Sequence, residues 1–205
     1  MIDPWLLLAF LPAALALNLT PGADMMFCLG QGLRAGPVPA MAASAGIALG
    51  APVHAALAAL GVSALVAAAP WLFDVIRWVG VAYLMWLAVG ALRMGPLRAR
   101  GRPMSAMRAF REGLVVNLTN PKVILFVLAF LPQFADPARA LLPQFIVMGV
   151  ILGLGGLIIN GAVGVFAGGL GRRVAASPRF ARTLGWACAA IFTALAARLA
   201  ILERV

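Results

Sequence analysis

Asn18-Leu19-Thr20-Pro21-Gly22 and Asn117-Leu118-Thr119-Asn120-Pro121-Lys122 are two copies of one polar motif, each embedded in a long apolar run. They lie about a hundred residues apart, half of a 205-residue chain. Proline lacks an N–H and clashes with the preceding helical turn, and the residue before it is pushed out of the helical region. Each copy therefore predicts a break: a short helical segment, an interruption, then a new helix. Thr20 and Asn120 are good N-caps for the new helices, with Pro21 and Pro121 suited to the first helical position.

The flanks of both copies are membrane-like. The chain is 64% hydrophobic and 11% charged, with a mean hydropathy of +1.03, and a soluble domain of this length needs more polar cover. No charged residue occurs from Ala35 to Phe73 or from Ala140 to Gly171. The apolar runs are continuous and do not alternate, which predicts bundled helices and not a barrel. Spans are expected at roughly 4–30, 38–66, 70–92, 113–134, 142–169 and 183–202. The first is expected to be a retained helix and not a cleaved leader, because Asp3 stands where a leader carries positive charge. The fold class is thus an all-α integral membrane protein of about six transmembrane helices, with the first and fourth broken.

Charge placement orients the bundle. The formal net charge is +10, but the basic residues are almost all arginines in short segments between apolar runs. Arg93, Arg98, Arg100, Arg102, Arg108 and Arg111 form one segment, and Arg172, Arg173, Arg179 and Arg182 the other. No aromatic-and-basic surface accompanies them, which argues against nucleic acid. With six spans, the loops at 31–37, 93–112 and 170–182 share a face carrying eleven arginines. The other face carries Asp3, Asp74, Arg77, Asp136, Arg139, Glu203 and Arg204. The Arg-rich loops are therefore expected in the cytoplasm and both termini outside. Three spans separate the starts of the two motif copies, an odd number, so the halves insert in opposite directions. That is the inverted-repeat plan of many secondary transporters. The chain reads as one membrane domain over 1–205, with repeat one at about 1–94, an Arg-rich loop at about 95–112 and repeat two at about 113–205.

Depth places two opposite charges together. Asp24 is ten residues before Arg34 and Lys122 eleven after Arg111, so each lies roughly 15 Å deep, near the middle of the hydrocarbon core. Lys122 is the sole lysine. Both new helices would aim N–H groups and positive dipole ends at one region, which suits a carboxylate, with Lys122 adding charge. Asp24 would receive an ammonium group or carry a proton, and Asn18, Thr20, Asn117 and Thr119 would add neutral hydrogen bonds. An amphoteric small solute such as an amino acid fits this set. The competing structural reading is a buried Asp24–Lys122 ion pair holding the halves together. His54, the only histidine, is a second proton-coupling candidate, with a neutral ring hydrogen-bonded in the bundle as its alternative. Asn160 is a candidate lining residue, with packing as its alternative. Gly46 and Gly50, Gly149 and Gly153, and Gly164 and Gly168 are Gly-x-x-x-Gly pairs that permit close helix packing. Cys28 and Cys188 fit no metal spacing and read as buried free thiols; neither a metal nor a cofactor is expected.

Leu17-Asn-Leu-Thr-Pro-Gly-Ala-Asp24, Gly46-Ile-Ala-Leu-Gly50 with His54, and Gly80-Val-Ala-Tyr-Leu84 resemble the LysE/RhtB family of amino-acid exporters. So do Phe110-Arg-Glu-Gly-Leu-Val-Val-Asn-Leu-Thr-Asn-Pro-Lys122 and Phe130-Leu-Pro-Gln-Phe134. The match covers roughly two-thirds of the chain in the family's order and spacing, and Asn-Leu-Thr-Asn-Pro-Lys is its most specific part. From about Leu141 onward only the hydropathy matches. The resemblance implies an inner-membrane exporter of amino acids or related metabolites, driven by the proton motive force, with a homodimer among its assemblies. Carried over by position, the site residues are Pro21, Gly22 and Asp24, then Asn117, Asn120, Pro121 and Lys122. Ala23 departs from the family, which usually repeats proline after the glycine. Two other classes compete with this one. An intramembrane enzyme would need a nucleophile–base set or metal ligands within the bundle, and the chain has one His, no intramembrane Glu and no clustered Cys. A non-transporting membrane assembly protein is the other alternative.

Overall fold

In the computed structural model of the chain, the described residues are 3–68, 72–93, 102–136, 138–167 and 177–201. Arg98, Arg100, Arg172, Arg173, Pro70, Gly168, Gly169, Glu203 and Arg204 lie outside them, as does the side chain of Asp74. The described residues form helices and no strands.

Helix α1 (Pro4–Leu19) starts with proline at its first position, and Asp3 caps it by accepting the Trp5 N–H at 2.7 Å. It stops at Thr20, before Pro21. Helix α2 (Ala23–Ala35) ends at Gly36, whose φ of +93° only glycine adopts freely, and Pro37 opens the next helix. Helix α3 spans Pro37–Ala68 and α4 Leu72–Leu92. Helix α5 (Ala106–Leu118) and α6 (Pro121–Phe130) flank the second motif copy, and a 3₁₀ turn, Leu131–Phe134, continues α6. Helices α7 (Leu141–Val165) and α8 (Pro178–Ile201) complete the bundle.

The two expected breaks are present and alike. The α1–α2 pair and the α5–α6 pair each bend by 51° at the motif. Among the described residues, α8, α7 and the Pro37–Gly61 part of α3 are long and apolar enough to span a membrane, and each bent pair passes as one further span. With the shorter apolar helix α4, about six helices result.

Two local readings differ from the sequence expectation. The fourth span starts at Ala106 and not near residue 113, so Arg108 and Arg111 sit on a helix. Its charged face is exposed, with Arg108 and Glu112 paired one turn apart at 3.8 Å, while Ala109, Gly113 and Asn117, spaced by four, face the bundle. Thr20 is also not an N-cap: α2 starts two residues later behind Gly22. The Thr20 hydroxyl turns back to the Ala16 carbonyl at 2.7 Å and closes the end of α1. The first copy lacks the asparagine that stands between threonine and proline in the second, and the threonine that precedes its proline is turned back onto α1.

Packing centres on α3, which lies chiefly against α7 and α5, with α2 wedged among these three. The close approaches are made at glycine. A Cβ on Gly46 would collide with the Phe110 carbonyl, and one on Gly113 with the Ala43 carbonyl, so neither helix could move in as far with larger residues. Helix α4 packs mainly on α8, forming an outer pair. Away from the motifs, Phe10, Phe126, Phe130 and Phe134 pack edge-on and tilted in an aromatic cluster behind α6. The repeats are not packed alike. Where α5 is seated on α3, its counterpart α1 leaves an apolar groove of about 550 Å³ against α7 and α8.

Candidate functional site

The prolines dictate the chemistry of the site through the N–H groups they lack. In a continuous helix the Leu17 carbonyl would accept from residue 21, and the Asn117 carbonyl from residue 121; both positions are proline. Each bared carbonyl meets a nitrogen from the other repeat. Lys122 Nζ donates to the Leu17 carbonyl at 2.9 Å and to the Thr20 carbonyl at 2.7 Å. His54 Nε2 lies 3.1 Å from the Asn117 carbonyl, which also accepts the Asn120 N–H at 3.0 Å in a tightened turn. A carbonyl only accepts, so this contact puts a proton on His54 Nε2.

Asp24 stands at the start of α2 and is buried. Its two oxygens accept the side-chain amides of Asn117, at 2.8 Å, and Asn120, at 2.9 Å. Asn120 is the N-cap that its sequence position predicted: its Oδ1 accepts the Lys122 N–H at 3.0 Å while its Nδ2 serves Asp24. Asp24 and Lys122 form no direct ion pair. Each is compensated by neutral dipoles of the opposite break, which gives both charges partners without joining them. The ion-pair reading of the sequence is thus replaced by an amide-bridged arrangement.

Around these groups lie two cavities that share Lys122 and Thr20 as a common wall. One is polar and about 20 Å³, lined by Asn18, Asp24, Asn117 and Asn160 among others. That is room for about one water. The other, about 300 Å³, is bounded by Pro21 and Gly22 of the first break and by Trp86, Leu87 and Gly90 of α4. A Cβ on Gly22 would stand 3.3 Å from Lys122 Nζ, a tight contact that a small shift of the lysine would relieve.

Of the candidates from sequence, Asn18, Thr20, Asp24, Asn117 and Lys122 share the polar cavity, and Pro21 and Gly22 line the larger one. Asn120 reaches Asp24 from behind. Thr119 is not brought in: it is exposed, with its hydroxyl on its own helix at the Val115 carbonyl, 2.8 Å away. Pro121 is exposed and acts only through the backbone. His54 is buried beside Asn117, one residue removed from Asp24. Sequence reasoning missed Tyr83, whose hydroxyl donates to the Lys122 carbonyl at 3.1 Å and ties α4 to the second break. Its signal was available, as the chain's one tyrosine, within an apolar helix.

A family model for the LysE type translocator matches residues 15–203. A protein named "uncharacterized membrane protein" from Vibrio cholerae serotype O1 is 38% identical over 152 residues, 73% of each chain. The homoserine/homoserine lactone efflux protein of Salmonella typhimurium is 30% identical over 198 residues, 94% of each chain. The leucine efflux protein of Klebsiella pneumoniae subsp. pneumoniae is 38% identical over 135 residues, 63% of each chain. No solved structure matches significantly. The family match begins just before the first motif and runs through both breaks to the last helix, so the chain belongs to the LysE type translocator family.

Proposed function

We propose that this protein is a secondary-active exporter of amino acids or closely related small metabolites in the bacterial inner membrane, driven by the proton motive force. The observation that carries the reading is the placement of Asp24 and Lys122 in one cavity where two broken helices meet. An amino acid offers an ammonium to the first and a carboxylate to the second. The start of α2 adds N–H groups beside Lys122 that no side chain caps, which favours a carboxylate further. Two relatives named for efflux of homoserine and of leucine support the same substrate class.

The internal bonds describe a closed site. The Asn117 and Asn120 amides hold Asp24 as an ammonium would, and the Leu17 and Thr20 carbonyls hold Lys122. Space for about one water does not admit an amino acid, so loading requires the breaks to separate. The cavity of about 300 Å³ on the other side of Lys122 is of ligand size and serves as the approach. Coupling arises from competition for one carboxylate. A proton arriving on Asp24 from outside removes its attraction for the ammonium and releases the solute. Loss of that proton to the cytoplasm restores the site. His54 supports this cycle by holding the Asn117 carbonyl.

Proteoliposomes containing the purified protein, loaded with a panel of labelled basic and neutral amino acids, test the reading. At least one solute is expected to move, and to move faster under an imposed pH gradient. No flux of any amino acid would contradict it and favour a membrane assembly protein.

A further inference from the structure

Beyond Asp24 and Lys122, the polar cavity is walled by α3 and α7. Ala48, Ala51, Gly153 and Gly156 keep that wall low, Asn160 of α7 stands on it, and Asn18 of α1 lies against it. Asn160 is 4% exposed, and its side chain makes no hydrogen bond among the described residues. Asn18 spends its Nδ2 on the Leu152 carbonyl at 3.1 Å, which leaves its Oδ1 without a donor among the described residues. The two amides flank Gly156: a Cβ there would stand 3.3 Å from Asn18 Oδ1 and 3.7 Å from Asn160 Nδ2. Asn117 Oδ1, on the same cavity, is also buried without a partner among the described residues. Elsewhere in this bundle Ser44, Tyr83 and Gln144 find backbone partners, and the buried atoms without one, Gln31 Oε1 and Gln133 Nε2 among the described residues, stand singly and off this cavity. Unmet hydrogen-bonding capacity gathered on one cavity is capacity for a ligand, since buried amides left bare are costly.

We propose that Asn160, with Asn18, forms the side-chain subsite of the exporter, selecting amino acids with a short, uncharged, hydrogen-bonding side chain (hydroxyl or amide) over branched aliphatic ones. The proposal rests on the exporter reading and deepens it. A hydroxyl or amide can both donate to and accept from an Asn160 amide. A leucine side chain in the same place would bury that amide unpaired, a penalty that separates substrates more strongly than a methylene's worth of packing does. A charged side chain gains no counter-charge there. Asp24 and Lys122 are the charged residues lining the cavity, and both are engaged by the substrate's own ammonium and carboxylate. When the cavity holds no solute, a single water fits the space and the amides.

Flux of labelled homoserine, serine and asparagine against leucine and valine, in proteoliposomes carrying wild type, Asn160→Leu or Asn160→Ala, tests the subsite. Wild type is expected to favour the polar set by at least about tenfold. Both variants are expected to lose that preference, mainly by losing polar flux, while leucine flux persists and reports a folded transporter. Equal transport of the two sets by wild type overturns the subsite, and so does a variant that keeps the wild-type preference. If Asn160→Leu moves nothing, Asn160→Ala decides by the same criterion. Absence of flux of every amino acid through wild type overturns the exporter reading itself and the subsite with it.

Discussion

At Pro21 and Pro121 the missing N–H groups leave the Leu17 and Asn117 carbonyls without their helical donors, and a basic side chain from the opposite repeat answers each. Lys122 of repeat two reaches back to repeat one, and His54 of repeat one reaches forward to repeat two. Leaving such a buried carbonyl bare costs about 1–3 kcal/mol, and more when the lost donor is charged. The His54 contact needs a donor at Nε2. In His54→Gln the side-chain amide keeps a donor near the Asn117 carbonyl, and flux is expected to stay within about threefold of wild type. In His54→Leu the Asn117 carbonyl keeps only the Asn120 N–H, and flux is expected to fall by up to about tenfold. Flux measured with and without an imposed pH gradient checks both the level and the coupling. If His54→Gln abolishes the response to the pH gradient, the proton moves through His54 and not through Asp24 alone.

The helices were largely legible because their signals are physical and local. Continuous apolar runs gave the spans, and each proline gave its bend, 51° at both motifs. The start of α5 was hidden because Arg108, Arg111 and Glu112 make its exposed face look like loop. Only the spacing of Ala109, Gly113 and Asn117 records the buried face. Thr20 and Thr119 looked equivalent within the repeat, yet one is buried and the other exposed. The inserted Asn120 is the difference between the copies: it caps α6 directly, whereas α2 starts behind Gly22 with no capping side chain. Who pairs with Asp24 was beyond any one-dimensional pattern: Asn117 and Asn120 are local to each other, but 93 and 96 residues from it. The Gly-x-x-x-Gly reading is testable at the α3–α5 contact. Gly46→Leu drives a side chain into the Phe110 carbonyl. It is expected to lower the Tm of the solubilised protein by about 2 °C or more, from overpacking of about 1–3 kcal/mol. Leu57→Ala, on an exposed face of the same helix, is expected to leave it nearly unchanged.

For the molecule as a whole, each break is the answer to the other, since donors from one half of the chain fill acceptors at the motif of the other. From the eleven arginines in the loops at 31–37, 93–112 and 170–182 we propose that those loops face the cytoplasm. Compartment-sensitive reporters fused to each terminus are expected to report the external side, and one inserted in the 93–112 loop the cytoplasm. A cytoplasmic N-terminus would mean that the first bent pair re-enters and does not cross. The asymmetry of packing also belongs to this scale. Helix α5 meets α3 closely at glycine, whereas α1 borders an open apolar groove. All of this turns on Asp24 and Lys122 being the two ends of one solute site. Proteoliposome flux of the best amino-acid substrate, compared among wild type, Asp24→Asn and Lys122→Met at equal amounts of inserted protein, tests it most directly. Flux is expected to fall by at least about tenfold in each variant, as each removes a charge that the solute or its proton requires. Wild-type flux in both variants would contradict the assignment.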